Sequence, residues 1–412
     1  MGTGIVVTPV ASVEPTAGRK VDMPFLLALI GLLVFGLIIL FSASWDFSLE
    51  VMGREPMYMF KRQLLWLAIG SVGTAVLSRF DYHHWSRLIV PVTAVTLVLL
   101  VGVLLMKEIR FGAKRAFFDG SVQPSELAKL VSIIYLSVWL YSKRAMLNVF
   151  SLGFLPLSVI LGLFGGLIFL QPDLSAAGTV FLMGGLLFFL AGGDLRQILV
   201  MLGVTLLIGW IVVQLNATGQ QRVEEFLLSL KDPTQASYHL SRSFEAIVGG
   251  GLFGRGLGQS LSKFTGLPLP PTDSIFAVVV EELGVLGATV LMGLYGLLIW
   301  RGLVIARRAP DMLGTLLATG LVIWIGLEAL INMAVMVGLL PFAGNALPFV
   351  SAGGSNLTVM LAAVGIVMNV SRQQGQARAD EDDRRSFGAI VDLRGWNRRR
   401  RVSRSRRARG AA

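Results

Sequence analysis

The sequence predicts an all-α integral membrane protein with about ten transmembrane helices. Of its 412 residues, 54% are hydrophobic and only 15% are charged, a balance outside the range of ordinary soluble domains. The mean hydropathy is +0.71, and the 47 glycines suit close packing of helices in lipid. Predominantly apolar stretches recur near residues 23–42, 63–78, 88–106, 127–141, 149–170, 174–193, 198–215, 275–300, 312–340 and 356–370.

Three of these stretches differ from an ordinary transmembrane span. The first span follows Arg19 and Lys20 like a signal peptide, but its apolar core is longer than a typical signal, so it is predicted to be a retained helix. The second is short and rich in small residues, and the fourth carries Lys129. The seventh and eighth spans are separated by about 216–273, which is predicted to be a large extracytoplasmic loop.

Lysine and arginine near the helix ends set the orientation. With ten spans, the basic turns and both termini fall on one side, which is predicted to be the cytoplasm. The chain then divides into a cytoplasmic segment 1–20, a membrane domain 21–372 and a disordered basic tail 373–412. The tail carries most of the net charge of +11, which favours contact with anionic membrane lipids over nucleic acid.

Several kinds of chemistry find no support. There is no cysteine, which excludes disulfides, thiolate nucleophiles and cysteine-bound metals, and the three histidines lack zinc spacing. The sequence has no P-loop, no G-x-S-x-G and no dinucleotide-binding pattern, so no nucleotide cofactor is expected.

Four polar segments interrupt the apolar pattern. They are 112–130 with Gln123, Ser125, Glu126 and Lys129; 171–174 with Asp173; 238–273 with Arg255, Lys263 and Asp273; and Asn332 followed by 338–356 with Ser351, Gly353 and Gly354. Caps, kinks or ion pairs would explain any one of them alone. In the ten-span arrangement all four open to the same outer face, which predicts one shared cavity there.

Charged residues near this face point to an anionic ligand. Lysine and arginine usually concentrate on the cytoplasmic side, yet six basic residues are predicted on the outer side: Lys107, Arg110, Lys114, Arg115, Arg255 and Lys263. For each of them, ordinary loop charge remains an alternative explanation. Asp273 lies where the loop meets the eighth span. Glu281 and Glu282 lie roughly 12 to 14 Å further along that helix, which favours a buried structural pair over catalysis. Glu126 and Lys129 are three residues apart and can pair.

Five ordered motifs resemble the SEDS family (shape, elongation, division and sporulation) of FtsW/RodA-type proteins. They are QPSELAKL at 123–130, QPDL at 171–174, GGLFGRGLGQSLSKF at 250–264, TDSIFAVVVEELG at 272–284 and GLLPFAGNALPFVSAGGSN at 338–356. The resemblance runs in register over about residues 20–372.

The resemblance implies a ten-helix glycosyltransferase that polymerises lipid II into glycan strands on the outer face of the bacterial cytoplasmic membrane. The transfer would be inverting and would release undecaprenyl pyrophosphate. A class B penicillin-binding protein and other division or elongation machinery are the implied partners. In that family the acid of the Thr-Asp motif is essential, and here it is Asp273.

The chemistry of the residues agrees with this implication. Asp273 is the predicted general base, and Arg115, Lys129, Arg255 and Lys263 are candidates for phosphate contacts. Ser351, Gly353 and Gly354 are expected to shape the substrate site. The remaining polar residues are expected to support it: Gln123, Ser125, Glu126, Asp173, Glu281, Glu282 and Asn332. Alternatively, Asp273 is a ligand of a divalent cation, Mg²⁺ or Mn²⁺, instead of the general base.

This chain departs from the family pattern at a few positions. Pro270-Pro271 and Ser274 flank the Thr-Asp motif, Ala116 follows Arg115, and Ala352 follows Ser351. These departures blur the distinction between division and elongation types, of which division is favoured. Two rival functions stay open: a transporter of the lipid-linked precursor, and a scaffold for division or elongation partners.

Overall fold

The computed structural model describes residues 21–105, 123–147, 149–171, 173–215, 217–232 and 235–374. Over these ranges the chain forms twelve α-helices and no β-strand. The helices are α1 (Met23–Asp46), α2 (Tyr58–Leu77), α3 (Trp85–Leu105), α4 (Pro124–Lys143), α5 (Leu155–Phe169), α6 (Leu174–Leu190), α7 (Leu195–Leu215), α8 (Ala217–Lys231), α9 (Tyr238–Gly250), α10 (Ile275–Arg307), α11 (Met312–Met336) and α12 (Gly354–Gln374).

A helix overlaps each of the ten predicted apolar stretches, which confirms the all-α membrane class. By length and composition, six helical stretches are long and apolar enough to cross a membrane; they include α1, α3, α5, α10, α11 and α12. Two more, α6 and α7, contain apolar stretches that are shorter. The total of ten spans therefore stays a prediction.

The segment between α7 and α10 is more ordered than a loop. It contains α8 and α9, and α9 buries Leu240, Ser243, Ala246 and Gly250 along one face. Ser237 begins α9 by accepting a hydrogen bond from the backbone N–H of Leu240, as an N-cap does. These helices are amphipathic, so a search for uniformly apolar stretches passes over them.

The core is built around α10 and α11, which pack on each other. α10 also contacts α1 and α9, while α11 contacts α4 and α6. Trp324, Leu317 and Leu321 of α11 are fully buried. By contrast α7 exposes large apolar side chains such as Leu199 and Trp210, as expected for a helix that faces lipid.

The glycine-rich segment packs against a break in α10. Gly284 has φ 68° and ψ −171°, outside helical geometry, and the turn 251–256 supplies hydrogen bonds there. The backbone N–H of Arg255 donates to the carbonyl of Glu281 at 2.9 Å, and that of Val285 donates to Gly251 at 3.0 Å. A Cβ on Gly254 would lie 2.2 Å from the carbonyl oxygen of Glu282. The glycines of this turn thus allow its backbone to approach α10 closely.

Candidate functional site

Asp273 lies in a turn just before α10, half-buried, with its neighbours held by other elements. The hydroxyl of Ser351 donates to the carbonyl of Thr272 at 2.6 Å. The amide of Asn332, near the end of α11, donates to the carbonyl of Asp273 at 3.0 Å. Asn332 also donates to the carbonyl of Asn345 at 2.5 Å. The backbone of the predicted catalytic residue is therefore fixed by α11 and by the segment after it.

The segment 337–353 between α11 and α12 is not helical, in keeping with its prolines and glycines. A Cβ on Gly344 would lie 3.0 Å from Oδ2 of Asp273, so the absent side chain leaves room for the carboxylate. Gln63 of α2 donates to the carbonyl of Ser351 at 3.1 Å and accepts from the N–H of Gly353 at 3.2 Å. Gly354 lies against the indole of Trp66. Small residues thus let this segment close over α2.

An open cavity of about 230 Å³ lies beside Gly344. It is bordered by the start of α6, the end of α7, α8 and the segment 341–344. Its polar lining comes from Asp173, Ser175 and Arg222. The cavity therefore brings Asp173 close to the segment that packs on Asp273.

Arg222 of α8 is a cavity residue that the sequence analysis missed. Its guanidinium lies 5.5 Å from the ring centroid of Phe342, which also lines the cavity. The available signal was the amphipathic pattern of 217–231, in which Val223, Phe226 and Leu230 recur at helical spacing beside polar residues. The sequence analysis assigns that stretch to the large loop.

Asp173 joins two of the predicted polar segments. It begins α6 by accepting a hydrogen bond from the N–H of Ala176, and it accepts from Gln123 and Ser125, each at 3.1 Å. The N–H of Gln123 donates to the hydroxyl of Ser355 at the start of α12. Together with the bonds from Asn332 and Ser351, these contacts connect described residues of all four polar segments, and the shared cavity on the outer face stays a prediction.

Lys129 occupies a separate, closed cluster. Its ammonium donates to Glu126 at 3.0 Å and to Glu328 of α11 at 2.6 Å, and its side chain is only 2% exposed. Asn356 donates to the other oxygen of Glu126, and Trp324 donates to Glu328. The sequence analysis missed Glu328, although an acid inside an apolar span is a signal. This placement does not favour a phosphate contact for Lys129.

Glu281 and Glu282 are buried and belong to different groups of contacts. Glu281 accepts from the hydroxyls of Ser260 and Ser262 and from the N–H of Leu261. Glu282 accepts from Ser42 of α1 at 2.5 Å and pairs with Lys263 at 3.5 Å. Both carboxylates therefore tie the glycine-rich segment and α1 to α10.

The predicted cations differ in their access to solvent. The Lys263 side chain is 5% exposed, whereas that of Arg255 is 37% exposed and lies 3.8 Å from Glu281. Lys263 also donates to the carbonyl of Gly258. Arg115, together with Lys107, Arg110 and Lys114, lies outside the described residues.

His239 of α9 is a second residue that the sequence analysis missed. Its Nε2 lies 2.6 Å from the hydroxyl of Ser274, the residue after Asp273. Its ring lies against Phe342, with centroids 4.1 Å apart. The pattern of a lone histidine in an amphipathic helix carries little signal, because its neighbours come from distant parts of the chain.

This chain is similar to known proteins over most of its length. A family model described as cell cycle protein, covering FtsW, RodA and SpoVE, matches residues 23–376. A probable peptidoglycan glycosyltransferase FtsW of Trichlorobacter lovleyi is 36% identical over 365 residues, covering 87% of this chain and 95% of the relative. Stage V sporulation protein E of Bacillus subtilis is 38% identical over 371 residues, covering 86% of this chain and 98% of the relative.

Solved structures share the fold. A chain from a peptidoglycan synthase complex, described as coordinating polymerization and crosslinking, aligns with a TM-score of 0.71 at 27% identity, covering 86% of this chain and 98% of that chain. The rod shape determining protein RodA of Thermus thermophilus aligns with a TM-score of 0.64 at 26% identity and the same coverage. On sequence and fold together, the chain belongs to the FtsW/RodA/SpoVE family of cell cycle proteins.

Proposed function

We propose that this protein is a peptidoglycan glycosyltransferase that polymerises lipid II. The observation that carries the proposal is Asp273, a half-buried acid that packs on Gly344 beside an open cavity and whose backbone is held by Asn332. Relatives named as peptidoglycan glycosyltransferases support the reaction class. The proposed location is the bacterial cytoplasmic membrane, with both termini in the cytoplasm and Asp273 on the outer side.

Asp273 would act as the general base. Its carboxylate accepts the proton of the acceptor 4-hydroxyl, whose oxygen then bonds to C1 of the donor sugar. The bond from C1 to the pyrophosphate breaks on the opposite face, so the configuration inverts and undecaprenyl pyrophosphate leaves. Proton transfer to a positioned base contributes roughly 10²- to 10⁴-fold. Orientation of the two lipid-linked substrates supplies a further part of the acceleration.

The leaving pyrophosphate needs positive charge. Lys129 and Lys263 pair with buried carboxylates and are not among the residues that line the cavity. Arg222 is one of the lining residues. We therefore add Arg222 to the candidates for the phosphate contact, with Arg255 next because it is partly exposed. Arg115 stays a prediction.

A divalent cation, Mg²⁺ or Mn²⁺, fits this site only if the substrate supplies part of its coordination. Among the described residues no group of three or more histidine, aspartate or glutamate side chains gathers to hold a metal. Magnesium is commonly held by one or two carboxylates together with substrate phosphates and water. Asp273 could supply that carboxylate, and the cation would then add positive charge at the pyrophosphate.

Partners and cellular role follow from the family. The solved relative comes from a complex that coordinates polymerization and crosslinking, which supports a penicillin-binding protein as partner, and we propose one of class B. Division is the proposed role because several relatives are named FtsW. The sporulation relative has a similar sequence identity to this chain. Other division or elongation proteins, and anionic lipids bound by the basic tail, complete the proposed partners.

The rival transporter predicts a polar route to the opposite end of the bundle. At that end Tyr82 and His83 contact Asp311, and the N–H of Tyr82 donates to Asn369 of α12. These bonds tie together the α2–α3 turn, the start of α11 and the end of α12. The tied arrangement favours the enzyme over the transporter.

The test is polymerisation of labelled lipid II into glycan ladders by the purified full chain with its cognate penicillin-binding protein. We expect ladders from the wild type and none from Asp273→Asn. The matched control is Asp194→Asn, which makes the same change at an exposed turn before α7 and should keep full activity. Ladders from Asp273→Asn at the wild-type rate would contradict the proposal. Ladders from neither protein, in a verified complex, would favour the transporter or scaffold.

A further inference from the structure

Three consecutive residues around Asp273 are held from three different parts of the fold. Ser351 donates to the carbonyl of Thr272, and Asn332 donates to the carbonyl of Asp273. The side chain of Ser274 contacts His239 of α9 at 2.6 Å. The sequence predicts a place in the site for Ser351 and Asn332 but gives no such signal for His239.

The hydrogen bonds of Ser274 fix the proton on His239. The Ser274 hydroxyl has one hydrogen, and it lies 2.6 Å from the carbonyl of Pro268, which can only accept. The serine oxygen must then accept from His239, so Nε2 of the imidazole carries a proton. Burial lowers the pKa of His239 to about 4, which keeps the ring neutral at physiological pH. A neutral ring with its single proton on Nε2 matches this geometry.

The other side of the ring faces the cavity wall. His239 packs on Phe342 at 4.1 Å between centroids, and the Arg222 guanidinium lies 5.5 Å from the same Phe342 ring. Phe342 is two residues from Gly344, which packs on the carboxylate of Asp273. The imidazole of His239 thus contacts both Ser274, which follows Asp273 in the chain, and the ring of Phe342, against which the guanidinium of Arg222 lies.

We infer that His239 is a positioning residue, which acts through Ser274 on Asp273 and through Phe342 on Arg222. It donates no proton to the substrate, because the one proton of its neutral ring is committed to Ser274. The inference rests on the proposed function, since it assigns His239 to the same site. Small misplacement of a reacting group is costly, and a shift of about 1 Å can reduce turnover by about 10²-fold.

The two contacts can be separated by substitution. His239→Phe keeps an aromatic ring against Phe342 but removes the donor to Ser274. His239→Gln keeps an N–H donor at similar reach but removes the ring. Ser274→Ala removes the hydroxyl that accepts the hydrogen bond from His239. His84→Phe is the matched control, because His84 is an exposed histidine in the turn before α3.

The experiment measures kcat and KM for labelled lipid II by the full chain with its penicillin-binding partner, together with the unfolding midpoint in detergent. For His239→Phe and Ser274→Ala we expect kcat about 10- to 100-fold lower with KM nearly unchanged. We expect His239→Gln to recover most of kcat, and His84→Phe to match the wild type. The double variant His239→Phe with Ser274→Ala should be no slower than the slower single variant, because each single variant already lacks the bond between His239 and Ser274.

The outcomes separate this inference from the proposed function. Wild-type kcat in both His239→Phe and Ser274→Ala, with Asp273→Asn inactive, would overturn the positioning role and leave the proposed function standing. Equal loss in His239→Gln and His239→Phe at unchanged unfolding midpoints would overturn it too, since the donor would not matter. If His239→Phe does not fold, Ser274→Ala alone decides. Wild-type kcat in Asp273→Asn would overturn the proposed function and this inference together.

Discussion

The surroundings of Asp273 and of Lys129 hold their acids in different ways. Around Lys129, hydrogen bonds fall on the carboxylate oxygens of Glu126 and Glu328 themselves. Around Asp273, the bonds from Asn332 and Ser351 fall on backbone carbonyls, and a glycine packs on the carboxylate. The first arrangement uses charge to close the interior, and the second fixes the position of a side chain next to a cavity. Location inside a membrane domain therefore does not by itself distinguish a structural acid from a reactive one.

The largest expected effect is that of Asp273→Asn on turnover. Loss of the base should lower the polymerisation rate by roughly 10²- to 10⁴-fold. The unfolding midpoint in detergent should stay near the wild-type value, because the backbone bonds remain. Lipid II turnover and intrinsic tryptophan fluorescence, measured on the same preparation, check both halves. A large drop in the midpoint would place Asp273 with the structural acids.

The reverse pattern is expected for Lys129→Met. Removal of the cation leaves Glu126 and Glu328 buried without it, and breaking such a pair typically costs about 3–5 kcal/mol. We expect a lower unfolding midpoint and less protein in the membrane. Lys143→Met, an exposed lysine at the end of the same helix, is the control and should change neither. An unchanged midpoint with lost turnover would restore the predicted phosphate contact of Lys129.

A smaller effect on activity is expected for Arg222→Ala. A hydrogen bond to a charged group contributes about 1.5–3 kcal/mol, which corresponds to about 10- to 100-fold in kcat/KM for lipid II. Arg196→Ala, an exposed arginine at the start of α7, should leave kcat/KM unchanged. Unchanged turnover in Arg222→Ala would return Arg255 to the first place among the described candidates.

The smallest effect concerns pH. The pKa of His239 falls from 6.5 to about 4 on burial, so the unfolded chain binds more protons between these values. Its contribution to stability is present above pH 6.5 and is lost as the pH falls toward 4. Arg222 and Glu225 of α8 are the charged residues that line the same small pocket as His239. The unfolding midpoint of the wild type should therefore fall relative to that of His239→Phe as the pH is lowered from 6.5 toward 4. A constant difference over this range would contradict the lowered pKa of His239.

The sequence predicted the parts of this protein that depend on local pattern. Apolar stretches located a helix at each of ten places, and the interruption of the apolar pattern at 338–356 corresponds to the non-helical segment 337–353. It also placed Asp273 at the boundary of loop and helix. These features follow from hydrophobicity and backbone geometry over short distances.

The parts that were missed depend on contacts between distant residues. Lys129 and Glu328 are 199 positions apart, and His239 meets Ser274 across 35. Charge near a helix end predicted phosphate contacts for Lys129 and Lys263, but only the packed structure shows that both are engaged by buried acids. The helices α8 and α9 were missed because each is amphipathic, with a polar face that interrupts the apolar pattern along the sequence.

The break at Gly284 has a consequence for biosynthesis. The turn 251–256, which bonds to the carbonyls of Glu281 and Glu282, leaves the ribosome about 25 residues earlier, or about 1 to 5 s at roughly 5–20 residues per second. The groups that complete the broken helix therefore exist before the helix itself is made. The order of the segments along the chain lets α10 enter the membrane with a prepared partner for its exposed backbone.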